Sequence, residues 1–374
     1  MMRPDTEADL AEMIKAADGP LRVQGGGTRP IGGVTDGAVL STSGLSGIEL
    51  YEPGAMTMVA KAGTPLGEIE AALEAENQRL SFEPMDHRGL LGTTGAPTIG
   101  GVFAANVSGP RRIAVGAARD FLLGVRFVDG AGQIASNGGR VMKNVTGYDL
   151  VKLLAGSYGT LGVLTEVSFK VMPTPGYAGT LRLEGLDDAV AVKALSRALG
   201  SPYEVNGAAH MQIGPSGAPM TMIRLEGFEN SVQYRADALQ RALKDLGDFT
   251  LETDTDKVAQ TWADLRDVAP FHGRGGDVWR VSVKPSDAPG VVASVPGAEA
   301  IYDWAGGLIW LHVDTGSQTS AIRDAVAAAG GHATRVRGTG AEAFQPLPPA
   351  LAALEAGLRA RFDPRGILNP GLMG

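Results

Sequence analysis

VQGGGTRPIGG, running from Val23 to Gly33, places five glycines in eleven residues around a single hydroxyl, Thr28. One or two glycines suffice for a tight turn, so the run asks for a further reason. A dinucleotide-binding turn needs G-x-G-x-x-G/A after a strand and at the mouth of a helix. Counted from Gly25, the last glycine position falls on Pro30, which has no N–H to donate. GAGQIA (Gly130–Ala135) matches that string, but QIASNGG then runs into another turn, so VDGAGQI reads as a hairpin closed at Asp129–Gly130. No G-x-x-x-x-G-K-[ST] is present, which argues against a P-loop ATPase. Consecutive glycines let backbone N–H groups converge on an anion with no Cβ in the way, and Thr28 adds a hydroxyl donor. That suits a pyrophosphate; the competing reading is a surface turn.

Two more small-residue runs bear on the choice. TIGGVFAANVSG (Thr98–Gly109) carries Asn106 and Ser108 as polar tips, and GSYGTLG (Gly156–Gly162) precedes a strand-like stretch. Three such loops in one region imply an extended ligand passing close to backbone in three places, and a dinucleotide has that length. The chain's 53 glycines among 374 residues are about twice the usual ~7% and concentrate before Gly185.

The net charge of −8 argues against a nucleic-acid binder. The absence of cysteine excludes disulfides, thiolate nucleophiles and any iron–sulfur cluster or sulfur-linked flavin held by this chain. The acidic, amphipathic start MMRPDTEADLAEMIK is unlike a signal peptide, and no apolar run approaches the ~20 residues of a membrane span. The expected location is cytoplasmic, with peripheral attachment at the inner membrane only through partner subunits.

Three zones are expected. Residues 1–176 alternate strands (Met56–Gly63, Phe121–Val128, Gly162–Val171) with short helices, one opened by Thr64 as N-cap and Pro65 at the first helical position. Residues 177–332 read as a second domain of sheet plus helices, two of which close on Gly200 and Gly247. Residues 333–374 hold a PLPP bend, a helix through Leu351–Arg361 and the ending FDPRGILNPG.

In order and spacing, VQGGGTRPIGG, AGTPLGEIEAAL, the stretch from Pro97 to Gly132 and the stretch from Lys143 to Val171 resemble the FAD-binding domain of the PCMH (vanillyl-alcohol oxidase) type. The resemblance implies an α+β fold: a two-subdomain FAD-binding domain, then a cap domain of antiparallel sheet plus helices, with the C-terminus returning to the flavin domain. GPRRI (Gly109–Ile113), WRVSV (Trp279–Val283), AGGHATRVRG (Ala329–Gly338) and FDPRGILNPGLM further resemble the flavin-carrying subunits of bacterial glycolate-oxidising complexes. That implies oxidation of a small 2-hydroxy acid, with a larger FAD subunit and an iron–sulfur subunit as partners. An alternative is an FAD-carrying relay or assembly subunit whose larger relative performs the oxidation.

Carried over residue by residue, the resemblance places Gly25, Gly26, Gly27 and Thr28 on the pyrophosphate and begins a second loop at Pro84 and Asp86. Thr98, Ile99, Gly100, Gly101, Asn106 and Gly109 line the ribityl–pyrophosphate side. Gly162 and Val163 meet the adenosine end, and Asn369 approaches the isoalloxazine. Covalent members carry His where Thr28 stands, so the FAD is expected to be non-covalent. Relatives with a metal site use clustered histidines; His87, His210, His272, His312 and His332 are isolated here, and no metal is expected. Arg280 is the first candidate to grip an α-hydroxy carboxylate, because a guanidinium forks onto a carboxylate. Arg274 is the second, and His272 is a candidate base. Lys143 and Asp149 read as a structural pair.

Overall fold

The computed structural model describes residues 1–33, 36–140, 147–340 and 342–373. The helix Glu7–Lys15 opens with a capping box between Thr6 and Asp9 and buries Leu10, Ala11 and Ile14. These pack with Leu21, Leu40, Ile367 and Leu368 beside a parallel pair of strands, Leu21–Gln24 and Ala38–Ser41. The glycine run leaves the end of the first of these strands, which fixes where it points.

The second subdomain is a five-stranded antiparallel sheet in the order Ile48–Glu52, Thr57–Lys61, Val163–Lys170, Leu122–Val128, Ile134–Gly138. Helices Leu66–Glu74, Ile99–Ala104 and Leu150–Leu154 share its core with Phe82, Phe103, Phe121 and Phe169, whose rings tilt against one another at 5.4–5.7 Å. The expected hairpin at Asp129–Gly130 is present, with the Asp129 carboxylate accepting from the Ala131 and Gln133 N–H groups.

The cap is an eight-stranded, wholly antiparallel sheet. Its order is Thr250–Glu252, Tyr177–Glu184, Met220–Gly227, Gly207–Met211, Glu299–Asp303, Leu308–Val313, Asp277–Ser282, His332–Arg337. Successive side chains on a strand point to opposite faces. Trp279, Val281, Ile223 and Leu225 therefore meet the helices Asp188–Leu199, Glu229–Ala242 and Ala288–Ala293. Val278, Met220, Met222 and Ile301 face the other way, onto Met85 and Leu90 of the flavin domain. By the same alternation Arg224, Glu226, Arg280 and Asp303 lie on the face turned to the flavin domain.

The chain returns after the helix Pro349–Phe362. The Leu21 N–H donates to the Ile367 carbonyl, the Asn369 N–H to that of Leu21, and the Gly33 N–H to that of Leu372.

Three local expectations are corrected. Thr64 is not a cap: its fully buried hydroxyl donates to the Lys61 carbonyl at 2.7 Å and accepts the Gly47 N–H at 2.9 Å, and Pro65 takes the cap position. The helix from Glu229 stops at Ala242, short of Gly247, and Gly200 ends its helix in right-handed backbone. The strand His332–Arg337 pairs with Asp277–Ser282, so the cap sheet reaches past the boundary expected at residue 332.

Candidate functional site

A cavity of about 360 Å³ lies where the three small-residue loops converge. It is lined by the run from Arg22 to Gly33, by Thr98, Gly100 and Gly101, by Tyr158, Gly159, Gly162 and Val163, by Asn369 and Leu372 of the returning tail, and by Met85 and His87. The glycines serve two purposes. At Gly26 a Cβ would stand 1.6 Å from the Ala96 carbonyl oxygen, so this residue lets the Thr98 loop close onto the run. Gly27 has φ +69°, a left-handed backbone that favours glycine, with only the Gln24 amide nitrogen near where a Cβ would stand, at 3.9 Å. The N–H groups of Gly26, Gly27 and Thr28 bond to no described residue.

Arg29 lines the same cavity. Its guanidinium donates to the Gly101 carbonyl at 3.0 Å and stacks over Tyr158 at 5.5 Å, while its buried Nε has no partner. No described carboxylate pairs with it, and burial lowers its pKa. Free N–H donors and an uncompensated cation are what a bound pyrophosphate requires, so these residues fit FAD.

Asn369, 2% exposed at φ 45°, is a strut. Its amide oxygen accepts the Val23 N–H at 2.7 Å and its amide nitrogen donates to the Tyr158 carbonyl at 2.9 Å. It lines the cavity, but its polar atoms are spent on tying the glycine run to the Tyr158 loop.

Other expected flavin contacts lie outside the lining. Ile99 is buried in the core. Asp86 is held by Arg88 at 2.7 Å, and Pro84, two residues before it, is buried. Asn106 accepts the Arg119 N–H, and Gly109 is pressed against Glu83 and accepts the Trp304 indole N–H. Lys143 lies outside the described residues; Asp149 caps the helix Leu150–Leu154.

Of the substrate candidates, two are engaged elsewhere. Arg274 is paired with Glu299 at 2.7 Å and stacks over Phe271. The His272 ring is bonded to the Asp267 carbonyl at 2.7 Å and packs against Gly89. Arg280 is different. It is half-buried, has no ion-pair partner among the described residues and stacks over Trp304 at 5.3 Å. Burial lowers its pKa, and the charges it feels are those of Tyr158, Arg112 and Asp303.

Sequence reasoning missed this surrounding. Trp304 and Ala305 are consecutive non-glycine residues at φ 52° and 57°, a strain of about 1–3 kcal/mol each that the surroundings must hold. The Trp304 indole is fixed by Gly109 at 3.0 Å and stacked on by Arg112 at 4.4 Å. Asp303 beside it accepts the Trp304 N–H, and burial pushes its carboxyl up to about 7. His87 also went unsingled, and no spacing marks it; only the fold carries it to the cavity.

A family model described as an FAD binding domain matches residues 1–137. Glycolate oxidase subunit GlcE of Escherichia coli (strain K12) is 37% identical over 356 residues, covering 95% of this chain and 92% of that protein. The chain belongs to the PCMH-type FAD-binding family. A D-lactate dehydrogenase of Archaeoglobus fulgidus is 32% identical over 179 residues, 46% of this chain and 38% of that one. The solved structure of p-cresol methylhydroxylase with substrate bound shares the fold at TM-score 0.69, over 99% of this chain and 87% of that one, at 16% identity. As a member of this family of FAD-dependent oxidoreductases the chain takes FAD as its cofactor. No helix among the described residues is long and apolar enough to cross a membrane, and no three metal-capable side chains gather among them.

Proposed function

We propose that this chain is the FAD-binding subunit of a glycolate oxidase (dehydrogenase) complex and that it oxidises glycolate, or a similar 2-hydroxy acid, to the 2-oxo acid. The observation that carries the reading is Arg280. A cation on the cap face toward the flavin domain, with no ion-paired carboxylate among the described residues, is a place for a small carboxylate to dock. Trp304, held by Gly109 and stacked on by Arg280, keeps that guanidinium in one orientation. FAD, when bound, supplies the hydride acceptor. Thr28 stands where covalent members carry His, so the flavin is held by hydrogen bonds and charge alone. With no cysteine in the chain, electrons leave through a larger FAD subunit and an iron–sulfur subunit, which also account for any attachment at the inner membrane.

Arg280→Ala and Arg280→Lys test the docking role. Both variants should keep their flavin. The alanine variant should slow anaerobic flavin bleaching by glycolate about a hundredfold, equal to roughly 2.7 kcal/mol of lost stabilisation. Lysine should restore part of the rate, because it keeps the charge and loses the fork. Unchanged bleaching in Arg280→Ala removes the assignment.

A further inference from the structure

We propose that His87, through its open Nε2, accepts the hydroxyl proton of the substrate, and that a carboxylate docked on Arg280 of the cap assists it. The proposal rests on the 2-hydroxy-acid reading above. His87 alone of the five histidines lines the cavity. Its Nδ1 is 3.2 Å from the Met85 carbonyl oxygen. A carbonyl only accepts, so Nδ1 carries the hydrogen and the free lone pair belongs to Nε2. No described residue bonds Nε2. His210, by contrast, has both nitrogens engaged, by Thr221 and Asp188, and His272 is bound to the Asp267 carbonyl.

The charged groups acting on His87 come from three elements. Arg29 belongs to the glycine run and Arg280 to the cap sheet, and neither is ion-paired with a carboxylate among the described residues, Asp303 acting on Arg280 without an ion pair. Asp86 adjoins it, but that carboxylate is already claimed by the Arg88 guanidinium and backbone N–H. Burial, then Arg29, hold the imidazole down to about 3, with Arg280 adding to them against Asp86 and the Met85 bond. In the free protein His87 is thus a neutral imidazole with an open nitrogen and little pull on a proton. A carboxylate docked on Arg280 cancels part of the field that suppresses it. Arg29 belongs to the pyrophosphate side of the cavity; Arg280, the other cation acting on His87, is the one that docks the substrate.

The step balances. The substrate O–H proton passes to His87 Nε2 and its C–H hydrogen leaves with the bonding pair as hydride to FAD. The carbon–oxygen bond becomes a carbonyl, and the substrate is oxidised by two electrons.

The test uses the FAD-loaded full chain with 13Cε1-labelled histidine. The resonance missing from His87→Asn identifies the residue. Without ligand it should keep its neutral position from pH 5 to 8. Saturating acetate, against chloride at equal ionic strength, should bring the start of its titration into that range, and Arg280→Ala should abolish that movement. His87→Asn should retain its flavin and slow anaerobic bleaching by glycolate at least a hundredfold, with the wild-type pH dependence of the rate lost; His87→Gln serves where the asparagine variant loses flavin. A titration indifferent to acetate, or an unaltered rate and pH profile in both variants, overturns the proposal. Wild-type protein that glycolate fails to bleach counts against the functional reading, while the acetate titration still decides the coupling of His87 to Arg280.

Discussion

Arg224 of the cap and Glu83 of the flavin domain meet in a fork, with two parallel bonds of 3.0 and 2.9 Å. Around them Glu226 of the cap receives Arg79 at 3.1 Å and Arg111 at 2.8 Å from the flavin domain, and Arg224 stacks on Trp262 at 4.4 Å. This clamp fixes the sheet face that carries Arg280 and Asp303 against the flavin domain.

Glu226→Gln should cost about 3–5 kcal/mol of stability at pH 7, because it leaves buried arginines short of their counter-charge. Burial acts to raise the Glu226 carboxyl, but the Arg111 hydrogen bond and the charges of Arg224 and Arg111 outweigh it and hold it far below the usual carboxylate range. Its stabilising contribution is thus present above the ordinary glutamate value and fades as pH falls below that value. Urea unfolding at pH 7 and pH 4 should show wild-type protein losing more stability on acidification than the variant.

Asp303 carries the opposite sign. Its folded value is raised to about 7 by burial, so its contribution is complete below the ordinary aspartate value of about 3.9 and is lost as pH rises toward 7. Asp303→Asn should flatten the fall in melting temperature between pH 5 and pH 7.5. An identical pH dependence in the variant contradicts the burial of an uncharged carboxyl.

Asn369→Ala should free the Val23 N–H and the Tyr158 carbonyl together and cost about 1–3 kcal/mol for each group left unpaired. Because those groups hold two walls of the cavity, FAD affinity should fall at least tenfold. Fluorescence titration of apoprotein with FAD reads this directly.

Non-covalent FAD is checked by denaturation. Guanidinium followed by ultrafiltration should release all the yellow colour into the filtrate. Flavin retained with the protein would show a linkage that Thr28 cannot make.

Much of the flavin domain is legible in the sequence because its loops are made of residue types with few other uses. Gly25–Gly27, Thr98–Gly101 and Gly156–Gly162 converge on one cavity as their composition implies. The cap sheet is legible through its strand-like runs, though the strand at His332–Arg337 falls past the expected boundary. The substrate side is less so. Arg280 stands out as an arginine within WRVSV, but only the pairing register turns it toward the flavin domain. Nothing local tells His272, spent on a carbonyl 2.7 Å away, from His87, whose Nε2 stays open. The strain at Trp304 and Ala305 follows from backbone angles that no composition announces.

The central claim is that this one chain both holds FAD and reduces it with a 2-hydroxy acid. The direct measurement is the visible spectrum of the chain purified alone, loaded with FAD and mixed anaerobically with glycolate. The account predicts a yellow protein whose flavin absorbance bleaches without any partner subunit. A colourless protein that FAD cannot reconstitute contradicts the cradle, and a yellow one that bleaches only after a larger subunit is added contradicts the assignment of catalysis to this chain.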